Sequence, residues 1–359
     1  MSKIITKPNK KEVTTVLGKD IHSIIKRNSD KKKYDEYRDL WRKSLSLKFV
    51  PDYPIQIDFE LNYSCNFTCP MCTWSAENNS NKGKTTWLNF DVFKEIIDDG
   101  VDKGLKAIRL NYINEPLIRK DIIKYIEYAK KKGILDIYMS SNGSLLTSRI
   151  SEELIRSGLT RLQISLDAFT EETYKKIRTG PGADYKKIIN NILNFLKIRD
   201  ELNSELPTLR VNFVKTETNN HELNDFINFW TDKADCIGIQ DFINIMNPTV
   251  NEQEDDMKEF KCSQPFNHMT IRYDGSILPC CTFFGAKLPL GKLNTKYEDS
   301  LSKVKTLENI DNEKLEKLTI EQAWKGAKIT DIRKIHHNGN FSKIDVCKQC
   351  VLSTSQTDD

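Results

Sequence analysis

Short segments of alternating apolar and polar residues recur along the chain, separated by longer stretches with helical spacing. The first, IQIDFELN, places Ile55, Ile57 and Phe59 between polar neighbours, which is a strand pattern. NFDVFKEIIDDGVDKG then has the spacing of a helix, with a glycine stop at Gly104. The same order continues through five more strand patterns: KAIRLNYI, ILDIYMS, RLQISLDA, TLRVNFVK and DCIGIQDFI. The pattern therefore predicts six strand-and-helix units.

Strands that alternate with helices of this length are typical of parallel βα units. The fold class predicted for residues 51–245 is α/β, a partial (β/α)6 TIM-like barrel. In such folds the reactive groups lie at the carboxyl ends of the strands. We therefore expect the site in the loops that follow each strand.

The rhythm changes after the barrel segment. Residues 246–260 are acidic and predict a linker, and residues 261–352 predict a small α+β domain. HMTIRYDGSILPCC has the pattern of a hairpin that turns at Asp274-Gly275. Residues 353–359 predict a disordered tail.

The positive charge is concentrated at the N-terminus. Residues 1–50 hold 14 Lys/Arg against 6 Asp/Glu, a net charge of +8, whereas the whole chain carries +4. DKKKYDEYRDLWRKSL mixes both signs and spaces its apolar residues as in an amphipathic helix. A basic helical arm packed on the body is favoured over an arm that contacts RNA.

Nine cysteines point to metal chemistry in a reducing compartment. No apolar run approaches the roughly 18 residues of a membrane span, and no secretory signal is evident at the start. We therefore expect a soluble, cytoplasmic protein. An odd number of clustered cysteines there favours metal ligation over disulfides.

Three of the thiols lie within eight residues, CNFTCPMC, directly after the first predicted strand. Cys65, Cys69 and Cys72 are close enough for one loop to wrap a single metal centre. Iron–sulfur cubanes usually take four thiolates, so three would leave one iron open to an outside ligand. Zinc is the rival, although this spacing is not among the usual structural zinc patterns and no histidine lies nearby.

At these residues the sequence resembles the radical SAM superfamily, whose CxxxCxΦC signature follows the first strand of a partial barrel. The resemblance implies a [4Fe–4S] cluster on Cys65, Cys69 and Cys72 with S-adenosylmethionine on the fourth iron. Reductive cleavage of that cofactor would produce a 5′-deoxyadenosyl radical. It also implies a flavodoxin- or ferredoxin-type reductant. Met71 stands where the family often has an aromatic residue, and it can pack on adenine through its sulfur.

Further positions that the resemblance assigns to S-adenosylmethionine follow later strands. Asn114-Glu115-Pro116 resembles the motif that meets the amino group, with Glu115 carried over. Ser141-Asn142-Gly143 resembles the family's TNG turn. The cofactor contacts that the resemblance implies are Asn142 in that turn, Ser165 and Asp167 near the ribose, and Arg178 at the carboxylate.

A second set of thiols lies in the C-terminal domain. Cys262, Cys280, Cys347 and Cys350 can form a four-cysteine site for zinc or an iron–sulfur cluster, and spacing alone does not choose between the two. This pattern resembles the SPASM/twitch extensions of radical SAM enzymes, which implies an auxiliary [4Fe–4S] cluster on these four. The adjacent Cys281 is an alternative ligand, a hydrogen-atom donor or an inert neighbour.

The resemblance predicts hydrogen abstraction from a substrate, followed by oxidation or epimerisation. Epimerisation would need Cys281 or Cys236 as the hydrogen donor, and Asp241 at the end of strand six is the candidate base for oxidation. A sugar or cyclitol-type small molecule is the favoured substrate. The alternatives are a peptide or protein maturase of the sulfatase-maturase kind and, in a different class, a non-catalytic iron–sulfur electron carrier. No membrane or nucleic-acid partner is expected.

Overall fold

The computed structural model describes residues 3–5, 15–78, 86–243, 260–301 and 314–353. Its strands are β1 (Lys3–Ile5), β2 (Thr15–Gly18), β3 (Gln56–Phe59), β4 (Ala107–Arg109), β5 (Asp136–Ser141), β6 (Arg161–Ser165), β7 (Thr208–Lys215), β8 (Cys236–Asp241), β9 (His268–Ile271), β10 (Ser276–Leu278), β11 (Gly291–Leu293) and β12 (Lys317–Leu318). Together they form one sheet in the order β1-β2-β8-β7-β6-β5-β4-β3-β9-β10-β11-β12.

Strands β3 to β8 are parallel and sit side by side in chain order. A helix or helices connect each to the next, so the predicted partial (β/α)6 barrel is confirmed. Because all six strands run the same way, their carboxyl ends meet at one edge. That edge carries the cysteine loop.

The helices are α1 (Ile21–Arg27), α2 (Lys31–Leu45), α3 (Thr73–Asn78), α4 (Phe90–Lys103), α5 (Ile122–Lys131), α6 (Ser148–Arg156), α7 (Glu171–Ile177), α8 (Tyr185–Glu201), α9 (Leu223–Trp230), α10 (Gln264–Asn267), α11 (Ile320–Lys325), α12 (Ala327–His337) and α13 (Asp345–Ser353). Side chains of Asn89, Thr147 and Asp184 cap α4, α6 and α8 by accepting hydrogen bonds from their first turns. Gly104 ends α4 in the left-handed region, at φ 118°.

Each barrel strand has one apolar face. Ile57, Ile137, Leu162 and Val211 are fully buried and share one core with residues of α4 to α9. Alternate residues point the other way, and we call that side the inner face: Gln56, Asp58, Arg109, Tyr138, Ser140, Arg161, Gln163, Arg210 and Asn212.

The N-terminal region adds two strands and two helices to this core. β2 pairs antiparallel with β8, an interaction that the basic composition of the arm did not indicate. Tyr34 and Tyr37 of α2 are buried against Ile55 and Leu135. The Tyr37 hydroxyl donates to the Asp136 carboxylate at 3.2 Å, so α2 covers the amino-terminal side of the sheet.

The C-terminal region continues the same sheet. β9 lies parallel to β3, with His268 opposite Gln56 and Thr270 opposite Asp58. The predicted hairpin is present between β9 and β10, with Gly275 at φ 84° in its turn. The two regions are thus joined by main-chain hydrogen bonds as well as by sequence.

A buried ion pair reinforces that junction. Arg272 donates from Nε to Glu60 Oε2 at 2.8 Å, and both side chains are almost fully buried. Residues 246–259 of the predicted linker and 354–359 of the predicted tail lie outside the described residues, while Ser353 ends α13. None of the described helices is long and apolar enough to span a bilayer.

Candidate active site

The cysteine loop joins β3 to α3 at the carboxyl edge of the sheet. Cys69 is buried, and Cys65 and Cys72 are partly buried. The Cys72 amide donates to the Cys69 carbonyl at 3.0 Å, and the Phe67 amide donates to Cys65 Sγ at 3.4 Å. Burial raises the pKa of the Cys65 thiol, and the nearby Glu115 carboxylate adds to the increase. The loop therefore gathers three sulfur donors out of water.

Arg178 connects this loop to the end of strand β6. Its Nη1 donates to Cys69 Sγ at 3.8 Å, and its Nη2 donates to Asp167 Oδ2. Asp167 is held in turn, because its Oδ1 accepts from the Val214 amide at 2.9 Å. The Nε of Arg178 is buried without a hydrogen-bond partner. The structure thus connects one predicted residue, Asp167, to the Cys69 sulfur through another, Arg178.

The segment after Arg178 packs closely on the cysteine loop. The Thr68 amide donates to the Thr179 carbonyl at 2.7 Å. Gly180 has φ 116°, and a Cβ there would lie 2.8 Å from the Phe67 Cα. Only glycine fits this approach without displacing the loop.

Glu115 lies on the other side of the loop, next to the first cysteine. Its amide donates to the Ser64 carbonyl at 3.0 Å. Its Oε1 accepts from the Leu117 amide at 3.0 Å and the Ser141 hydroxyl at 2.9 Å, and its Oε2 accepts from the Asn142 amide at 2.7 Å. Burial raises the pKa of Glu115 to about 7, although these hydrogen bonds act to lower it. Among the described residues no ion pair neutralises it.

The remaining predicted cofactor contacts surround the same edge. Asn142 Nδ2 donates to Asn66 Oδ1 at 2.9 Å, which ties the turn after β5 to the cysteine loop. Met71 is partly buried within that loop and packs against the main core. Ser165 ends β6, opposite Asn212 of β7.

The second thiol group lies between the hairpin and the last helix. Cys280 Sγ is 3.5 Å and Cys350 Sγ 3.9 Å from Thr282 Oγ1. Burial raises the pKa of Cys280, and burial and Cys280 raise the pKa of Cys347 to about 12. A Cβ at Gly285 would lie 2.6 Å from Cys280 Sγ, so the glycine leaves room for that sulfur. Three of the four predicted ligands therefore converge here.

Cys281 has other neighbours than Cys280. Its Sγ donates to Gln264 Oε1 at 3.6 Å, and it offers a ligand atom to a cluster with Asp58 and His268. Cys262, the fourth predicted ligand, is partly buried two residues before α10. The two adjacent thiols thus have different hydrogen-bond partners.

Asp241 does not join either thiol group. It ends β8 and forms an ion pair with Lys215 at 2.5 Å, with about a third of its side chain exposed (32%). Its carboxylate is already engaged by a cation on the neighbouring strand. Its role as a base stays a prediction.

The inner face holds a set of charged residues that the sequence analysis did not single out. Arg161 donates to both oxygens of Asp136, at 2.9 and 2.7 Å, and stacks over the Tyr138 ring at 3.9 Å. Arg109 Nη1 lies 3.9 Å from Asp58 Oδ2. The sequence pattern could have identified them, because these residues alternate with the apolar ones in strands whose apolar side is covered by helices.

Arg210 differs from the other inner-face arginines. A Cβ at Gly238 would lie 2.1 Å from its Nη2 and 2.2 Å from its Nε, so the guanidinium lies across a strand position without a side chain. Its Nε is buried without a hydrogen-bond partner. Burial lowers the pKa of Arg210, as expected for a cation that lacks a close carboxylate.

Comparison with known proteins identifies two domains. Residues 59–210 match the radical SAM superfamily, and residues 262–351 match SPASM, an iron–sulfur cluster-binding domain. The chain is 31% identical over 169 residues, 47% of this chain and 50% of the relative, to a probable GTP 3′,8-cyclase of Sulfurisphaera tokodaii. It is 34% identical over 130 residues, 36% of each, to an AdoMet-dependent heme synthase of Methanosarcina barkeri. The chain spans about half the length of these curated relatives or less.

Solved structures share the fold. The crystal structure of anSMEcpe with bound AdoMet aligns with a TM-score of 0.56 at 13% identity, covering 83% of this chain and 89% of that one. Streptococcus suis SuiB bound to S-adenosylmethionine aligns with a TM-score of 0.51 at 15% identity, covering 85% and 72%. At such identities the similarity concerns the architecture alone.

Proposed function

Because the chain belongs to the radical SAM superfamily and carries a C-terminal SPASM domain, we propose that it is an oxidoreductase or epimerase acting on a polar small molecule. Membership implies a [4Fe–4S] cluster, S-adenosylmethionine and an auxiliary cluster. When bound, the first cluster and S-adenosylmethionine supply a 5′-deoxyadenosyl radical. The chain's own residues hold these groups and the substrate.

Cys65, Cys69 and Cys72 are the proposed ligands of the first cluster. Support comes from their position on one loop and from the Arg178 guanidinium 3.8 Å from Cys69 Sγ, since a cation favours thiolate ligands. The unpartnered Nε of Arg178 leaves a donor free for the cofactor's carboxylate.

The proposed partner of the cofactor's amino group is Glu115. A buried carboxylate that accepts three hydrogen bonds and lacks a described ion pair suits an ammonium ligand. Asn142 positions this carboxylate through its main-chain amide. Met71, Ser165 and Asp167 are proposed for the adenosine part.

The proposed auxiliary ligands are Cys262, Cys280, Cys347 and Cys350. The shared neighbour Thr282 of two of these sulfurs favours Cys280 over Cys281. With four protein ligands the auxiliary cluster is filled, so electron transfer or structural support is its proposed role.

The polar inner face is the observation that carries the substrate proposal. Neutral donors and acceptors such as Tyr138, Ser140, Gln163 and Asn212 project from neighbouring strands. Hydroxyl groups of a sugar or cyclitol find partners on such a surface, whereas an apolar side chain of a peptide would leave those groups unsatisfied. We therefore favour a polyhydroxylated small molecule.

A nucleotide is the second candidate substrate. Relatives named GTP 3′,8-cyclase align with about half of the chain, and Arg210 offers a buried guanidinium to an anionic group. A peptide maturase is a third candidate, since SuiB has been crystallised with a precursor peptide. A cytoplasmic location and a flavodoxin- or ferredoxin-type reductant complete the proposal.

Formation of 5′-deoxyadenosine tests this function. The protein is reconstituted anaerobically with iron and sulfide, reduced with dithionite and given S-adenosylmethionine. Cyclitols and sugars, GTP, and a panel of peptides are added in separate reactions. We expect polyols to increase 5′-deoxyadenosine above the uncoupled level. If only GTP or only a peptide increases 5′-deoxyadenosine, that compound class replaces the polyols as the favoured substrate. If no 5′-deoxyadenosine forms under any condition, the protein is an electron carrier and not an enzyme.

A further inference from the structure

Three potential metal ligands from separate parts of the chain meet at the junction of the two domains. Asp58 lies on β3, His268 on β9 and Cys281 after β10. One ligand atom from each lies within 4.8 Å of the others. The pairing of β3 with β9 fixes the first two, because Gln56 is opposite His268 and Asp58 is two residues further on the same face.

Asp58 and His268 each have one buried potential ligand atom that lacks a hydrogen-bond partner among the described residues. Asp58 Oδ1 accepts from Gln56 Nε2 at 2.6 Å, whereas the buried Oδ2 has no partner. His268 Nδ1 is 2.8 Å from Asn267 Oδ1, and its buried Nε2 has no partner. A buried carboxylate oxygen and a buried imidazole nitrogen are unfavourable when unsatisfied, so a further group is expected between them.

The hydrogen bond to Asn267 determines which nitrogen is available. An amide oxygen accepts, so Nδ1 of His268 carries the proton and Nε2 presents a lone pair. Burial lowers the pKa of His268, which keeps the ring neutral. Fixing the tautomer of a histidine through its second nitrogen is a common feature of metal sites.

We propose that Asp58, His268 and Cys281 bind one divalent metal ion of the zinc type at the inner face. One carboxylate oxygen, one imidazole nitrogen and one sulfur suit zinc, and three protein ligands leave its fourth position open. The carboxylate and a thiolate balance the charge of the ion. The guanidinium of Arg109, with Nη1 3.9 Å from Asp58 Oδ2, is the rival partner of that carboxylate.

The open position gives the metal a role in substrate binding. Arg109 and Tyr138 lie close enough to Cys281 to interact with it electrostatically, so the site borders the polar inner face. A hydroxyl or carboxylate oxygen of the substrate is the ligand expected there. This role rests on the proposed function, whereas metal binding itself does not.

The test measures zinc in the holoenzyme with both clusters assembled. The protein is passed over a chelating resin, titrated with zinc chloride, and analysed for zinc and iron and by zinc X-ray absorption. We expect one zinc per chain, with one sulfur and otherwise nitrogen and oxygen ligands. Cys281→Ser and His268→Gln should lose it with iron unchanged. Asn267→Ala should weaken zinc binding by about 10–100-fold.

The test includes a matched control variant and results that would contradict the proposal. Cys236→Ala removes a buried thiol of β8 and should leave zinc binding unchanged. Zinc surrounded only by sulfur would mean occupation of a cluster site, and no retained zinc, or zinc unaffected by both ligand variants, would also overturn the proposal. The zinc measurement does not depend on turnover. Failure to form 5′-deoxyadenosine would therefore not affect it, and failure to bind zinc would not affect the test of the proposed function.

Discussion

Replacing Glu115 by glutamine should weaken the binding of S-adenosylmethionine strongly. Both carboxylate oxygens already accept hydrogen bonds: Oε1 from Leu117 and Ser141, and Oε2 from Asn142 at 2.7 Å. The amide nitrogen of glutamine would face the Asn142 amide or the Leu117 amide, donor against donor. The variant also removes the negative charge proposed to bind the cofactor's ammonium group.

The expected size of the effect follows from the lost interaction. A hydrogen bond to a charged group contributes about 1.5–3 kcal/mol. At about 1.4 kcal/mol per tenfold change, the Kd for S-adenosylmethionine should rise by about 10–100-fold. The mismatched amide adds a stability cost of about 1–3 kcal/mol, which thermal unfolding measures separately.

Anaerobic calorimetry on reconstituted protein with matched iron content measures this Kd. Glu95→Gln is the control, because the half-buried Glu95 accepts a hydrogen bond from Thr295 at 2.8 Å on the helical layer. It should bind S-adenosylmethionine like the wild type. A Kd for Glu115→Gln within about threefold of the wild type, under about 1 kcal/mol, would refute the assignment.

Three other variants test the junction, the auxiliary site and the inner face. Glu60→Gln removes one charge of its buried ion pair with Arg272 and should lower the free energy of unfolding by about 3–5 kcal/mol in chemical denaturation; an unchanged midpoint would contradict the buried pair. Cys280→Ser should lose the iron of the auxiliary cluster while Cys281→Ser keeps it, and the opposite result would exchange their roles. In Gly238→Ala the new Cβ would lie 2.1 Å from Nη2 of Arg210. Thermal stability should therefore fall, and a crystal structure should show the Arg210 guanidinium displaced. An Arg210 side chain left in place would contradict this prediction.

Strand alternation and cysteine spacing were sufficient to predict the barrel and the thiol loop. Ile57, Ile137 and Leu162 alternate with polar residues, and this local pattern determines which face the helices cover. Cys65 and Cys72 lie on one loop, so their proximity is a consequence of short chain length. Both features depend on near neighbours in sequence.

Contacts between distant segments could not be predicted in the same way. The pairing of β9 with β3 places Asp58 beside His268, which is 210 positions away in the sequence, and nothing near either residue indicates the register. The different partners of Cys280 and Cys281 depend on how the hairpin packs. His336 lies outside the cysteine patterns, yet its Nε2 is 3.4 Å from Cys347 Sγ.

Electron paramagnetic resonance of the reduced protein, with and without S-adenosylmethionine, tests the central claim most directly. In a Cys347→Ser/Cys350→Ser variant that lacks the auxiliary cluster, we predict the signal of one reduced [4Fe–4S] cluster. Adding S-adenosylmethionine should change its g-values, because the cofactor binds the iron that has no protein ligand. A signal that S-adenosylmethionine leaves unchanged, or a loop that holds zinc and shows no iron signal, would contradict the account.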